Sequence, residues 1–253
     1  MTIRFALLLT LGLTACRAAS GDETPRETKR VTHNVVSPPC SGCTVDLPSE
    51  RTDPQPVLVV LHGNHGTAKE AAARWRDAAL ARGIAVVGLT CPRDRGCEDG
   101  KWYAWPETPS FVLGALATIG EDLRIDPART YLAGWSGGAS AIGQHLDAWK
   151  PFSAIVIHGG GQPPADGACP PHAMPAYFLV GDENPAHPAA IRLREHLEEC
   201  AAPIEWDLVR GADHAAEKRA LNREKADDIL AWLDAERKAL TGTVTAAARE
   251  TPR

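Results

Sequence analysis

Ser136 lies at the centre of the pentapeptide GWSGG (134–138), a G-x-S-x-G pattern typical of a serine nucleophile. The apolar run at 131–133 before it predicts a strand, and the residues at 139–146 after it predict a helix. The backbone of a serine at such a turn is strained, which lifts its hydroxyl clear of the sheet, and flanking glycines avoid collisions with the returning helix. We therefore predict that Ser136 is a catalytic nucleophile. The alternative is a plain glycine turn with an exposed serine.

A serine nucleophile needs a base, and His214 is our candidate among the nine histidines of the chain. It follows a predicted strand at 204–209 and a short glycine loop, and it precedes the predicted final helix. This position lies at the carboxyl end of a strand, as the position of Ser136 does. We predict that His214 accepts the serine proton.

The third partner of such a site is a carboxylate, which fixes the tautomer of the imidazole and stabilises the imidazolium. Asp182 and Glu183 are the carboxylates directly after the predicted strand at 176–180. We select Asp182 as the acid. The alternative role for Asp182 is that of a loop residue capping the next helix.

The continuous apolar run at 57–61 predicts a strand that is buried on both faces. It leads into the loop HGNHG at 62–66. This loop resembles the α/β-hydrolase segment whose backbone N–H helps to form an oxyanion hole. The resemblance implies that the N–H groups of Asn64 and Gly137 bind the oxyanion, where two donors lower the barrier by roughly several kcal/mol. The side chain of His62 is expected to tie this loop down rather than to take part in chemistry.

Strands and helices alternate along the chain, which predicts an α/β fold with a mostly parallel sheet covered by helices on both faces. An N-terminal hairpin is also expected from 31–36 and 44–47. The predicted strands are 57–61, 84–89, 130–135, 154–157, 176–180 and 204–209, and the predicted helices are 68–82, 111–123, 189–200 and 217–240. Active sites of such sheets lie at the carboxyl ends of the strands, where all the candidate site residues fall.

Together these segments resemble the α/β-hydrolase superfamily, and most nearly secreted esterases of the polyhydroxybutyrate-depolymerase and feruloyl-esterase kind. The stretch at 125–138 resembles the segment that leads into that family's nucleophile, and KWYAW at 101–105 resembles its tryptophan-bearing loop. The resemblance covers residues 57–233 and implies an α/β-hydrolase fold with a minimal lid. Two positions depart from the pattern: Gly137, where those esterases often have alanine, and Asn184, where many relatives have the triad acid.

The resemblance implies a serine ester hydrolase that acts through an acyl-enzyme on a small-molecule or polymeric ester, with no cofactor and no metal. Asn184 keeps a second hypothesis open, a catalytically degraded binding protein of the same fold. A peptidase of this fold is a further alternative, although nothing in the sequence marks a substrate-gating domain. Three aromatic residues at 102, 103 and 105 either line a shallow acyl pocket or pack their loop onto the body.

The first residues predict export. One positive charge precedes the apolar run at 5–13, which is too short to span a bilayer comfortably. The residues LTAC at 13–16 resemble a bacterial lipobox, so we expect Cys16 to become the lipidated first residue and to anchor the protein to the cell envelope through several acyl chains, palmitate among them. An ordinary signal peptide is the alternative.

The predicted organisation is a signal peptide at 1–15, a lipidated flexible tether at 16–30, a hydrolase domain at 31–240 and a disordered tail at 241–253. The formal net charge of −5 does not indicate the excess of positive charge that is typical of nucleic-acid-binding proteins.

Six cysteines remain beyond Cys16, and an even number in an exported chain predicts disulfides. They are Cys40, Cys43, Cys91, Cys97, Cys169 and Cys200. Cys91 and Cys97 flank one loop and are an attractive pair. Cys40 and Cys43 could instead form a zinc or redox pair, although no second C-x-x-C accompanies them.

Overall fold

The computed structural model describes residues 36–249. Within this part of the chain, seven strands form one sheet in the order β1-β3-β2-β4-β5-β6-β7. All neighbouring strands run parallel except β1, which pairs antiparallel with β3. The strands are β1 (Thr44–Asp46), β2 (Gln55–Leu61), β3 (Ala85–Leu89), β4 (Ile125–Trp135), β5 (Ala154–His158), β6 (Ala176–Gly181) and β7 (Ile204–Val209). The predicted α/β class and mostly parallel sheet are confirmed.

In the part of the chain that the structure describes, seven α-helices connect or follow these strands. They are α1 (Ala68–Ala73), α2 (Arg76–Ala81), α3 (Thr108–Asp122), α4 (Gly137–Gln144), α5 (His187–Glu199), α6 (His214–Ala220) and α7 (Arg223–Arg249). None of these described helices is both long and apolar enough to cross a bilayer.

The central strand β2 shows why the apolar runs are continuous. Val57, Val59 and Leu61 belong to the hydrophobic core on one face of the sheet, whereas Leu58 and Val60 belong to the core on the other face. Side chains alternate between the faces of a strand, so a strand covered by helices on both faces is apolar at every position. The buried residues of a strand must lie between the covering helices, so burial determines where each strand ends and where the following loop begins.

Three predicted elements differ in the structure. The helix predicted at 68–82 is two helices, α1 and α2, separated by Arg74 and the buried Trp75. The final helix is also divided, because Asn222 accepts a hydrogen bond from Lys225 N–H at 2.9 Å and caps a new helix, α7. The helix α7 continues to Arg249, into the segment predicted to be a disordered tail, where alanines favour helix.

The N-terminal predictions are only partly covered by the described residues. The predicted signal peptide, the lipidation site Cys16, the tether and the residues at 31–35 lie outside them. Val36 is not in a strand, and β1 pairs antiparallel with β3.

All six remaining cysteines are paired in disulfides, as predicted. The bridges join Cys40 to Cys43, Cys91 to Cys97, and Cys169 to Cys200. The loop pair at 91 and 97 is confirmed, and Cys40–Cys43 is a disulfide rather than a free metal-binding pair. The second bridge closes the loop that lies against the candidate site.

Candidate active site

Ser136 stands at the turn between β4 and α4, with φ of 52° and ψ of −111°. A positive φ is uncommon for a residue with a side chain and signals a backbone held under strain by its surroundings. Part of that restraint comes from the neighbouring strand, because Ser136 N–H donates a hydrogen bond to the carbonyl oxygen of His158 at 2.8 Å. The structure therefore has the strand–serine–helix turn that the sequence predicts.

The glycines after β5 make room for this turn. Gly159 has φ of +65°, and a Cβ atom placed there would lie 2.1 Å from the Trp135 ring. A Cβ atom on Gly160 would lie 2.4 Å from the carbonyl oxygen of Ser136. This run is glycine-rich because it packs against the backbone of the turn.

Gly137 and Asn64 lie side by side next to the serine. A Cβ atom on Gly137 would lie 2.0 Å from Oδ1 of Asn64, so an alanine at 137 would require the side chain of Asn64 to move. Within the described part of the chain, the backbone N–H groups of Asn64 and Gly137 donate no hydrogen bond, so both are free for a ligand. Their availability matches the predicted role in binding an oxyanion.

His62 holds the loop that carries Asn64. Its Nδ1 lies 2.7 Å from the carbonyl oxygen of Gly63, and its Nε2 accepts a hydrogen bond from the N–H of Cys91 at 3.1 Å. Burial lowers the pKa of His62, which keeps the ring neutral and able to donate at one nitrogen and accept at the other. The side chain thus fastens the loop, as expected.

The disulfide-closed segment that begins at Cys91 supports this loop further. The N–H of His65 donates to the carbonyl oxygen of Asp99 at 3.1 Å. Trp102 is fully buried and its ring lies 5.3 Å from that of His62, whereas Tyr103 is 37% exposed. Of the aromatic residues in this segment, the tryptophans pack the loop and the tyrosine faces outward.

A cleft opens in front of the serine, with an empty volume of about 480 Å³. The residues around it come from the turn, the loop of Asn64, the aromatic segment and the glycine run. They are Asn64, Tyr103, Ser136, Gly137, Ser140, Gly159, Gly160, Gln162 and Ala186.

His214 is the first residue of α6 and stacks on Trp135, with ring centroids 4.5 Å apart and planes 19° apart. Partial burial, followed by the nearby charge of Lys218, lowers the pKa of His214. The ring is therefore neutral at neutral pH, as a general base must be. Among the described residues, the hydroxyl of Ser136 makes no hydrogen bond.

The structure does not bring Asp182 to His214. Asp182 is exposed, and its Oδ1 accepts a hydrogen bond from Gly211 N–H at 2.6 Å. Glu183 is exposed as well. The predicted acid is thus corrected by the geometry: Asp182 braces the loop at 211 because the chain turns outward directly after β6.

Asn184 lies beside His214, the predicted base. Its Nδ2 lies 3.0 Å from Nδ1 of His214 and 3.3 Å from the carbonyl oxygen of Gly159. Its Oδ1 accepts a hydrogen bond from Ala186 N–H at 2.9 Å. The side chain is 6% exposed, so this amide takes the buried place that the resemblance assigns to the triad acid.

Glu217 is a site residue that the sequence analysis missed. It lies on α6 one turn after His214, is fully buried, and accepts a short hydrogen bond from Nδ2 of Asn184. Burial raises the pKa of Glu217 to about 7, and the contact with Asn184 partly opposes the rise. The spacing of three residues placed it on the same helix face as the base, but only the fold shows that this face is buried against Asn184.

One further cluster has ligand-type atoms. Sγ of Cys169, Sγ of Cys200 and a ring nitrogen of His196 lie within 4.8 Å of one another. The two sulfurs are joined in a disulfide, and Nε2 of His196 lies 2.9 Å from the carbonyl oxygen of Ala168. In this oxidised state the cluster offers no thiolate to a metal ion.

No protein-family model matches the chain, and no curated protein matches it in sequence. Solved structures do match its fold. A carboxylesterase from Bacillus cereus aligns with a TM-score of 0.57 at 14% identity, over 76% of this chain and 92% of that one. LpqC, a poly(3-hydroxybutyrate) depolymerase from Bordetella parapertussis, gives 0.54 at 20% identity, over 70% and 82% of the two chains.

Est1E from Butyrivibrio proteoclasticus, with ferulic acid bound, gives a TM-score of 0.58 at 12% identity, over 76% of this chain and 95% of that one. Likeness at such low identity shows the fold. The chain has the α/β-hydrolase fold, and the similar structures are esterases and related hydrolases.

Proposed function

We propose that this protein is a serine-dependent carboxylic ester hydrolase that works through an acyl-enzyme. The observation that carries the proposal is the strained turn at Ser136, which faces an open cleft beside two unused backbone N–H groups, those of Asn64 and Gly137. A nucleophile next to free donors is the arrangement that acyl transfer requires.

In the proposed reaction, Oγ of Ser136 attacks the ester carbonyl carbon while Nε2 of His214 accepts the serine proton. The N–H groups of Asn64 and Gly137 stabilise the oxyanion. When the tetrahedral intermediate collapses, the carbon–oxygen bond of the ester breaks and His214 returns the proton to the departing alcohol. Water then attacks the acyl-enzyme with His214 as base, which releases the acid and restores Ser136.

Turnover should be slow, because the amide of Asn184 lies beside His214 at the position where this mechanism requires a carboxylate. Asn184 can orient the His214 ring but carries no charge to offset the imidazolium. Replacing a triad aspartate by asparagine lowers kcat by about 10⁴-fold in a serine protease, although the remaining machinery still exceeds the uncatalysed rate.

The open cleft and the exposed ring of Tyr103 favour a short acyl or aromatic ester, free or as part of a polymer. An aromatic side chain at the rim offers a flat apolar surface to such a group. The similar esterases include one with ferulic acid bound and one described as a poly(3-hydroxybutyrate) depolymerase, which supports the same range of substrates.

A second function is favoured by one observation, the contact of Asn184 with His214. A protein that kept the cleft and lost turnover would bind an ester or its acid without hydrolysing it. For either function, we propose that the protein is anchored at the cell envelope. The lipobox-like LTAC at 13–16 and the three disulfides support this location.

Hydrolysis of p-nitrophenyl acetate and labelling by a fluorophosphonate test the proposal. We expect slow hydrolysis and labelling of the wild type, and neither with Ser136→Ala. Ser110→Ala changes an exposed serine on α3 and should retain both. Equal labelling of the wild type and Ser136→Ala would contradict the assignment. A wild type that is neither labelled nor active would favour the binding function.

A further inference from the structure

Every neighbour of the Asn184 amide agrees on one orientation. Its oxygen faces a donor, the N–H of Ala186, and its nitrogen faces two acceptors, Oε2 of Glu217 and the carbonyl oxygen of Gly159. Amide orientation is assigned from such a network. Here the assignment rests on three independent groups.

The reversed orientation would be costly. The amide oxygen would then face Glu217 and Gly159, both acceptors, and the NH₂ group would face the N–H of Ala186. Each buried polar group left without a partner destabilises the folded state, and more so where the group is charged. Glu217 is purely an acceptor only while it is ionised, because a protonated Oε2 would donate to a reversed amide oxygen. Burial raises the pKa of Glu217 to about 7, so its carboxyl is mostly ionised at pH 8 and then favours the observed orientation.

The locked amide determines which nitrogen of His214 carries the proton. Nδ1 of His214 lies 3.0 Å from the NH₂ group of Asn184, and a protonated Nδ1 would set donor against donor. A neutral imidazole has one donor nitrogen and one acceptor nitrogen. The amide has two hydrogens, and its two nearest acceptors are Oε2 of Glu217 and Nδ1 of His214, while the carbonyl oxygen of Gly159 at 3.3 Å shares one of them. With Nδ1 as the acceptor, the hydrogen is on Nε2.

We propose that Asn184 is a positioning residue that holds neutral His214 in the tautomer protonated at Nε2, the opposite of the one a general base needs. Nε2 is the nitrogen that must accept the proton of Ser136, so only the minor tautomer, with hydrogen on Nδ1, is productive. This inference rests on the proposed function for its consequence, slow hydrolysis, but the tautomer itself is a property of the free protein.

Nuclear magnetic resonance of the protein labelled with ¹⁵N-histidine tests the tautomer directly. Long-range proton–nitrogen correlations at pH 8, assigned with His214→Gln, should show His214 protonated at Nε2 and bare at Nδ1. In Asn184→Asp, a carboxylate faces Nδ1 and should move the proton to Nδ1. The matched control is Glu183→Gln, which changes an exposed neighbour and should leave the wild-type pattern.

Steady-state kinetics of the same variants distinguish a positioning role of Asn184 from a purely structural one. Asn184→Asp should raise kcat for p-nitrophenyl acetate about 100-fold or more, with KM little changed, because the ground-state contacts of the ester are the same. Glu217 beside the new carboxylate would then hold a proton, since two adjacent carboxyls do not both ionise readily.

A wild type with His214 protonated at Nδ1, or an Asn184→Asp variant with the wild-type tautomer, would overturn the inference. The outcomes for the proposed function are distinct. If His214 has the expected tautomer but the protein shows no serine-dependent hydrolysis, the proposed function is wrong and the inference about the tautomer is supported. If hydrolysis is fast and is abolished by Ser136→Ala, and His214 carries its proton on Nδ1, the proposed function is supported and the inference about the tautomer is wrong.

Discussion

Oδ1 of Asn64 occupies the space that a β-carbon on Gly137 would need, 2.0 Å from where that atom would be built. The two residues supply the predicted oxyanion donors, so the side chain of one restricts the identity of the other. An alanine at 137 is therefore compatible with this site only if the side chain of Asn64 moves away.

Gly137→Ala should therefore displace the side chain of Asn64 and lower kcat for an ester at least about tenfold, the cost of a misplaced oxyanion donor. The clash involves a side-chain atom that can move, so the melting temperature should change by only a few degrees.

The double variant Asn64→Ala/Gly137→Ala removes the colliding oxygen and should recover most of the lost kcat, which a double-mutant cycle would report as strong coupling. Additive losses in the two single variants would show that the contact does not control the donors.

Asp182→Asn should keep kcat within about twofold of the wild type, because the Asp182 carboxylate contacts the N–H of Gly211 and not His214. The amide oxygen of the new asparagine can accept the same hydrogen bond. Steady-state hydrolysis of p-nitrophenyl acetate measures the effect. A loss of several orders of magnitude would restore Asp182 as the triad acid.

Glu217 should make the protein less stable as pH rises. Burial raises the pKa of Glu217 to about 7 in the folded state, above its unfolded value, so the folded state binds this proton more tightly. The favourable contribution is complete below the unfolded pKa and is lost as pH rises through 7. The total change is on the order of 3 kcal/mol.

Urea unfolding of the wild type and Glu217→Gln between pH 4.5 and pH 8.5 isolates this group, because other buried groups such as His158 are common to both proteins. The stability difference, wild type minus variant, should fall across the range. Glu183→Gln, at an exposed site, should give a flat difference. Parallel curves for Glu217→Gln would contradict the buried carboxyl.

The lipid anchor proposed at Cys16 predicts that the mature protein partitions into detergent, since several acyl chains hold a protein stably at a membrane. Cys16→Ser should move it to the aqueous phase after detergent phase separation, whereas Ser20→Ala in the predicted tether should not. Recovery of the wild type in the aqueous phase would show that the signal is an ordinary one.

Local pattern was enough to predict most of the fold. Neighbours along the chain and the burial of whole strands determine two features, and sequence periodicity indicates both. These features are the apolar runs of β2 and β4, and the glycines around Ser136. The pairing of β1 and the division of the last helix were missed. The first depends on contacts with β3, distant in sequence, and the second on a single capping side chain, Asn222.

The sequence by itself predicted that Ser136, Asn64 and His214 lie on the same side of the sheet, because parallel strands bring their carboxyl ends to one edge. Only the tertiary structure decided which residue stands beside the base. Asp182 and Asn184 are two positions apart, and the direction in which the chain leaves β6 turns the first toward solvent and the second toward His214 and Glu217. The contacts of Gly181 and Glu183 with Ala212 on the loop after β7 help to set that direction, and they join segments far apart in the chain. The choice of Asp182 as the nearest carboxylate after β6 could not take such contacts into account.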